Sequence, residues 1–157
     1  MISQTVEYAL RAMTVLARNA SISLTGREIS HAADIPPKYA TKVLQSLAKG
    51  GLINAVRGTG GGYTLNMASD QISMLDIVNC INPIQRIKRC PLNRPEHRQQ
   101  LCPLHRRLDQ AIATTERAFQ ETCLTELTEA PADVLPPRIP LGVVGGARTL
   151  STPARRQ

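Results

Sequence analysis

The glycine-rich stretch at residues 56–65 constrains the fold of this chain more than any other segment. Its sequence is Val-Arg-Gly-Thr-Gly-Gly-Gly-Tyr-Thr-Leu, and four of the chain's ten glycines lie within residues 58–62. Glycine adopts positive φ angles at little steric cost, so such a run forms a tight turn or lets the backbone approach a ligand closely. Because apolar residues flank the run on both sides, it predicts a short β-hairpin with a glycine tip.

Two nucleotide-binding motifs are excluded for this stretch. A Walker A loop ends in Gly-Lys-Ser or Gly-Lys-Thr, whereas Gly62 is followed by Tyr63. A dinucleotide-binding fingerprint is followed by a helix, and no helical pattern follows here. The hairpin must therefore be interpreted from the segments that precede it.

Three helices are predicted before the hairpin. Apolar residues recur at helical spacing from Thr5 onward, and Thr25 with Glu28 forms a capping box for a second, shorter helix. Pro37 suits the first turn of a third helix, which a glycine pair ends at residues 50–51. We expect the apolar stripe of that helix to be Tyr39, Val43, Leu44 and Leu47. Helix, short helix, turn, helix and hairpin is the order of a winged helix-turn-helix.

The third helix and the hairpin, or wing, carry the residue types that contact DNA. The predicted polar side of the helix consists of Lys38, Thr41, Lys42, Gln45 and Ser46, which can bind phosphates or base edges. On the wing, Arg57 can enter a minor groove, and Gly58, Gly60 and Gly61 allow a close approach to the DNA backbone. A formal net charge of +7 favours a polyanionic partner. We therefore expect a sequence-specific transcriptional regulator that binds double-stranded operator DNA, and not an enzyme.

The C-terminal half predicts a sensor and a dimer interface. Ile72 to Ile81 is predicted to be a fourth helix capped by Ser73, and a loop then runs to Cys102. A long amphipathic helix follows to about residue 123, and its apolar stripe calls for a second subunit. The expected architecture is mainly α with one small β-hairpin. It divides into a winged helix-turn-helix domain at 1–70, a sensor loop with dimerisation helix at 71–130, and a disordered tail at 131–157.

Three segments resemble the Rrf-two (Rrf2) family of bacterial winged-helix regulators. They are residues 8–13 (Tyr-Ala-Leu-Arg-Ala-Met), residues 35–40 (Ile-Pro-Pro-Lys-Tyr-Ala) and the wing at 56–63. The resemblance covers about residues 1–130. It implies a homodimer whose two subunits are joined through the long helix and which binds a partly palindromic operator. It also implies that Arg57 reaches the minor groove and that Lys38, Tyr39 and Thr41 lie at the major groove.

The resemblance further implies an iron–sulfur sensor. Cluster-binding members carry three evenly spaced cysteines in the loop before the long helix, and some add a histidine three residues later. This chain has Cys90, Glu96, Cys102 and His105, so the spacing is kept while the middle ligand is glutamate. Other members take a carboxylate from the first helix of the partner subunit, where Glu7 stands. The implied cofactor is a [2Fe–2S] cluster held by Cys90, Cys102 and His105, with Glu7 or Glu96 as the fourth ligand.

Other interpretations of the loop stay open. Its basic surroundings favour thiolates, which also suits a reversible Cys90–Cys102 disulfide or a zinc site, and His97 can replace the missing ligand. We expect Cys80 and Cys123 to be small core residues in helical settings.

The alternative functions are a cluster-free or thiol-based regulator, an enzyme that uses the same cysteines, and a winged helix that binds protein. No organic cofactor is expected. No apolar run is long enough to span a membrane and no signal-peptide pattern is present, so the expected location is the cytoplasm.

Overall fold

The fold is a helical core with one two-stranded hairpin, described by a computed structural model for residues 2–58, 60–92 and 100–129. Its helices are α1 (Gln4–Arg18), α2 (Gly26–Ala32), α3 (Pro37–Lys49), α4 (Met74–Ile81) and α5 (Pro103–Glu121), and its strands are β1 (Ile53–Val56) and β2 (Gly62–Leu65). The predicted order of elements is confirmed. Glu96, His97, Thr59 and the predicted tail at 131–157 lie outside the described residues.

Local side-chain caps determine where two of the helices begin. The predicted capping box of α2 is present: the Glu28 amide donates to Thr25 Oγ1 at 3.3 Å, and the Thr25 amide donates to Glu28 Oε2 at 2.7 Å. A second capping box, Ser73 with Asp76, starts α4. Each such cap satisfies backbone N–H groups that the first helical turn leaves without partners.

The core is aliphatic, as the scarcity of aromatic residues requires. Met13 and Leu16 of α1 pack with Leu44 and Leu47 of α3, and all four are at most 1% exposed. Three residues from beyond the wing complete the same core, namely Ile72, Ile77 and Leu124. The two predicted parts of the chain therefore pack together, and their division at residue 70 remains a prediction.

The glycines of the wing have conformational roles. Gly58 and Gly60 have φ angles of 101° and 92°, which side-chain-bearing residues rarely adopt. At Gly62 a Cβ atom would lie 2.6 Å from the Leu24 carbonyl oxygen. That close approach allows Tyr63 and Leu24 to exchange backbone hydrogen bonds of 2.7 and 3.1 Å, which attach β2 to the helical core.

Two expectations about single residues were wrong. Tyr39 is 46% exposed, and its ring lies 5.6 Å from that of Tyr8, while Ala40 takes its place on the buried face of α3. Cys123 is not helical, because α5 ends at Glu121 and Cys123 forms an antiparallel bridge with Ser73.

The long helix α5 is attached to the core at its C-terminal end. The Leu124 amide donates to the Ile72 carbonyl and the Met74 amide donates to the Thr122 carbonyl, both at 2.8 Å. None of the α5 residues is itself buried, and Leu104 and Leu108 are 61% and 46% exposed. Across the described ranges, no helix has the length and apolarity that a membrane span requires.

Candidate functional site

Three predicted ligands come together at the N-terminus of α5. The Nδ1 atom of His105 lies 3.1 Å from Cys102 Sγ and 3.6 Å from Cys90 Sγ. All three ligand atoms lie within 4.8 Å of one another, and both cysteines are buried. We call Cys90, Cys102 and His105 the Cys–His centre.

The local sequence explains how α5 contributes two of these side chains. Cys102 is the N-cap residue, with extended backbone angles, and Pro103 follows as the first helical residue. His105 comes three positions after Cys102, a spacing that places both side chains on one side of a helix start. Cys90 arrives from the preceding irregular segment.

The environment of Cys102 favours its thiolate. Hydrogen bonding from the His105 backbone amide, and then from the His105 side chain, lowers the pKa of Cys102 to about 7. Burial acts in the opposite direction but does not prevail. In contrast, burial and the nearby Asp76 carboxylate raise the pKa of Cys80. The thiolate is the form that binds metals, so the centre is suited to metal binding in a way that Cys80 is not.

The donor set fits an iron–sulfur cluster or a zinc ion. A [2Fe–2S] cluster takes four protein ligands, and imidazole can replace thiolate on one iron. Zinc likewise accepts two sulfur ligands and one nitrogen ligand, with a fourth ligand to complete a tetrahedron. The centre supplies three of the four in either case.

Of the two candidate carboxylate ligands, Glu7 is not part of the Cys–His centre. Among the described residues, the centre contains no carboxylate. Glu7 is exposed on α1, where one of its oxygens lies 3.9 Å from the Arg11 guanidinium. Glu96 lies outside the described residues. The roles of Glu7 and Glu96 as ligands stay predictions.

The predicted DNA-contacting residues lie on exposed surfaces of α3 and the wing. Exposed side chains on α3 include Lys38, Tyr39, Thr41, Lys42 and Gln45. Arg57 is exposed directly after the last residue of β1, and Gly58, Gly60 and Gly61 follow it in the turn. The Thr41 hydroxyl already donates to the Pro37 carbonyl at 3.1 Å, which leaves its oxygen available as an acceptor. These positions are compatible with DNA contact, which remains a prediction residue by residue.

Sequence reasoning missed one contact next to the centre, which is made by the carboxylate of Asp109. Asp109 accepts two hydrogen bonds from the Arg86 guanidinium, at 2.7 and 2.6 Å. It also accepts one from the Ile87 amide at 2.9 Å. The only sequence signal was spacing, because Cys102, His105 and Asp109 follow one another at helical intervals of three and four residues.

Comparison with known proteins decides the family. The profile of a family described as "Rrf2: Iron-dependent Transcriptional regulator" matches residues 2–130. The chain belongs to the Rrf2 family. It is a DNA-binding transcriptional regulator of that family, and its winged-helix fold agrees with the resemblance seen in the three sequence segments.

Individual relatives agree with this assignment. An HTH-type transcriptional regulator of Haemophilus influenzae is 32% identical over 124 residues, which cover 76% of this chain and 81% of that protein. The HTH-type transcriptional repressor NsrR of Streptomyces coelicolor is 28% identical over 127 residues, covering 80% and 86%.

Solved structures show the same fold at lower sequence identity. CymR, the global cysteine regulator of B. subtilis, superposes with a TM-score of 0.67 at 22% identity, covering 82% of this chain and 95% of CymR. IscR of T. potens superposes with a TM-score of 0.69 at 19% identity, covering 86% and 91%.

Proposed function

We propose that this Rrf2-family protein is a repressor whose operator binding depends on a [2Fe–2S] cluster at the Cys–His centre. The observation that carries the proposal is that the ligand atoms of Cys90, Cys102 and His105 lie within 4.8 Å of one another, although the two cysteines are twelve positions apart in the sequence. Cys90, Cys102 and His105 would hold the cluster, which supplies a group that reacts with oxidants or nitric oxide. The S. coelicolor relative named as a repressor supports the direction of regulation.

DNA recognition is assigned to α3 and the wing. Lys38, Tyr39 and Thr41 are exposed at the N-terminal end of α3, the end that enters the major groove in helix-turn-helix proteins. Arg57 is exposed on the wing, where a guanidinium can enter a minor groove. The net charge of +7 supports attraction to DNA at long range.

A homodimer would complete the regulator. The uncovered apolar side chains of α5, including Leu104 and Leu108, support a second subunit. A groove of about 550 Å³ between α1, α4 and α5, lined in part by Val6, Ile112 and Phe119, offers further apolar surface. Light scattering of the protein at DNA-binding concentrations tests this step, and a monomer under those conditions would contradict it.

The position of the centre provides a route from sensor to DNA. The Cys–His centre lies at the start of α5, and Thr122 and Leu124, just after α5, are hydrogen-bonded to Met74 and Ile72. Ile72 belongs to the core that α1 and α3 share. A ligand can change DNA affinity only if it interacts differently with two states of the protein. Loading of the centre would do so by changing the position of α5, and with it the angle between the two DNA-binding units of a dimer.

The test is anaerobic expression followed by iron and acid-labile sulfide assays and a visible absorption spectrum. We expect iron and sulfide in equal amounts and a chromophore that Cys102→Ala abolishes. Cys123→Ala is the matched control, because Cys123 is not part of the centre. Colourless wild-type protein without iron after reconstitution would contradict the cluster.

The closeness of the two buried sulfurs favours a second candidate, a thiol switch. Cys90 and Cys102 have sulfur atoms within 4.8 Å of each other, so a modest side-chain movement would allow a disulfide. The thiol switch would be supported if an oxidant changes operator binding by the iron-free protein and if Cys90→Ala no longer shows that change.

A further inference from the structure

A three-part hydrogen-bonded contact attaches the segment before Cys90 to α5. The Asp109 carboxylate accepts Arg86 Nε at 2.7 Å, Arg86 Nη2 at 2.6 Å and the Ile87 amide at 2.9 Å. Arg86 Nη1 also reaches Glu116 at 3.3 Å. We call the first three contacts the Arg86–Asp109 clamp.

The clamp lies beside the Cys–His centre on the same helix. Asp109 follows His105 by four residues, so both side chains are on one face of α5. On the other side of the clamp, Ile87 precedes Cys90 by only three residues. The clamp thus fixes the base of the segment that brings Cys90 to His105.

The segment that carries Cys90 has no regular secondary structure within the described residues. Residues 82–92 contain neither helix nor strand, so they lack the ladder of hydrogen bonds that orders an element. The Ile84 amide donates to Asn79 Oδ1 at 3.2 Å, which attaches the start of the segment to α4. Contacts such as these therefore contribute to the position of Cys90.

The clamp is of the kind that gives geometric specificity. Two parallel bonds between guanidinium and carboxylate fix distance and orientation together. Hydrogen bonding to Arg86, followed by the Ile87 amide, holds the pKa of Asp109 below its ordinary value. The Arg86 side chain is 37% exposed and that of Asp109 18%. Because such pairs near the surface add little to global stability, the effect of this clamp should be local.

We propose that Asp109 is a positioning residue for the Cys–His centre, because it holds residues 86–87 against α5 so that Cys90 reaches His105 and Cys102. The inference rests on the proposed function only in that the centre is the sensory site. Asp109 is not one of the residues that form the centre. Its role is to raise the local concentration of the Cys90 thiol beside the other two ligands.

The test measures how readily Cys90 and Cys102 form a disulfide in protein that contains no cluster. In the full-length, metal-free chain with Cys80→Ala and Cys123→Ala, the protein is equilibrated with reduced and oxidised glutathione. Two protein thiols are oxidised to one disulfide, while one glutathione disulfide is reduced to two glutathione molecules. The ratio of disulfide to dithiol, measured after trapping and mass analysis, is multiplied by the squared concentration of reduced glutathione and divided by that of glutathione disulfide. The product is the effective concentration of one thiol near the other.

We expect Asp109→Asn to lower that effective concentration about tenfold, because a Cys90 thiol that is no longer held near Cys102 reacts with it less readily. The matched control is Glu121→Gln, which removes the same charge from the exposed C-terminal end of α5 and should change nothing. The thermal unfolding midpoint should be similar in both variants. An effective concentration in Asp109→Asn that equals that of the wild type would overturn the proposal.

A second variant covers the case in which Asp109→Asn does not fold. Arg86→Lys keeps the positive charge but cannot form two parallel bonds, so it should lower the effective concentration in the same direction. No change in Arg86→Lys would then overturn the proposal.

Failure of the proposed function would be recognised separately. Absence of iron and sulfide from the wild type contradicts the cluster but leaves the disulfide comparison intact. If the wild type holds a cluster but Asp109→Asn leaves the disulfide equilibrium unchanged, the result contradicts the role of the clamp alone.

Discussion

Cys102 is the residue on which the chemistry of the centre depends, because its thiolate is the form that binds metals. Hydrogen bonding from the His105 backbone amide, and then from the His105 side chain, lowers the pKa of Cys102 to about 7, which favours the thiolate in the metal-free protein. We expect the alkylation rate of Cys102 to be low below pH 7 and to rise through a midpoint near pH 7. In His105→Ala the midpoint should move up only part of the way toward about 8.5, the ordinary cysteine value, because the substitution removes the imidazole but keeps the backbone amide, which is the larger cause of the lowered pKa. Mass spectrometry after timed iodoacetamide labelling measures this, and an unchanged midpoint in His105→Ala would contradict it.

Arg57 is the residue that tests DNA recognition by the wing. If its guanidinium enters a groove, Arg57→Ala should weaken operator binding by about 1–3 kcal/mol and should also reduce the preference for the operator over random DNA. Lys49→Ala, at the end of α3, removes the same charge away from the predicted interface. Fluorescence anisotropy on both DNAs makes the comparison. Equal losses on operator and random DNA would show a phosphate contact instead, and no loss would contradict the wing assignment.

The residues of the site differ in how well the sequence predicts them. Cys90, Cys102 and His105 were predicted through the resemblance to cluster-binding members of the family, because this chain keeps the ligand spacing of those members. Asp109 was not, because its partner Arg86 is 23 residues away and only the tertiary fold brings them together. Tyr39 was placed in the core because helical periodicity cannot distinguish a buried ring from one that leans on Tyr8 at the surface.

Among the elements, the wing depends on Gly62 for its attachment. A Cβ atom there would lie 2.6 Å from both the Leu24 carbonyl oxygen and Ser23 Oγ. Gly62→Ala should therefore lower the free energy of unfolding by about 1–3 kcal/mol, the usual range for overpacking. Gly26→Ala is the matched control, because its Cβ would meet only Leu44 and Tyr63 side chains, at 3.6 and 3.7 Å. Urea unfolding of both variants measures the difference, and equal stability of the two would contradict the role given to Gly62.

Elements whose ends are marked by short local sequence patterns were predicted closely. A pairing between residues far apart in the sequence was not predicted. The capping box at Thr25, the proline at residue 37 and helical periodicity gave α2 and α3 nearly to the residue. The extended segment after α5, in which the Leu124 amide donates a hydrogen bond to the Ile72 carbonyl, was not predicted. Its pairing joins residues some fifty positions apart, and no short pattern encodes such a partner.

At the scale of the whole described structure, one helix, α5, connects the Cys–His centre to the core that carries α3 and the wing. The Cys–His centre is at the start of α5, and Leu124, just beyond its end, is fully buried in the core shared with α1 and α3. A change at the centre can therefore reach α3 and the wing through packed structure rather than through a flexible linker. The family assignment supports DNA binding, and the geometry of the centre supports control of that binding.

The affinity of one operator fragment for the protein, measured before and after its iron is removed, tests the central claim most directly. The operator is first selected from a random-sequence duplex library with anaerobically loaded protein. We expect iron removal to change the dissociation constant by about tenfold, within the usual range of coupling between two sites. Cys102→Ala should bind with the affinity of the iron-free wild type whether or not iron is supplied. A dissociation constant that stays the same while the visible chromophore disappears would contradict the account.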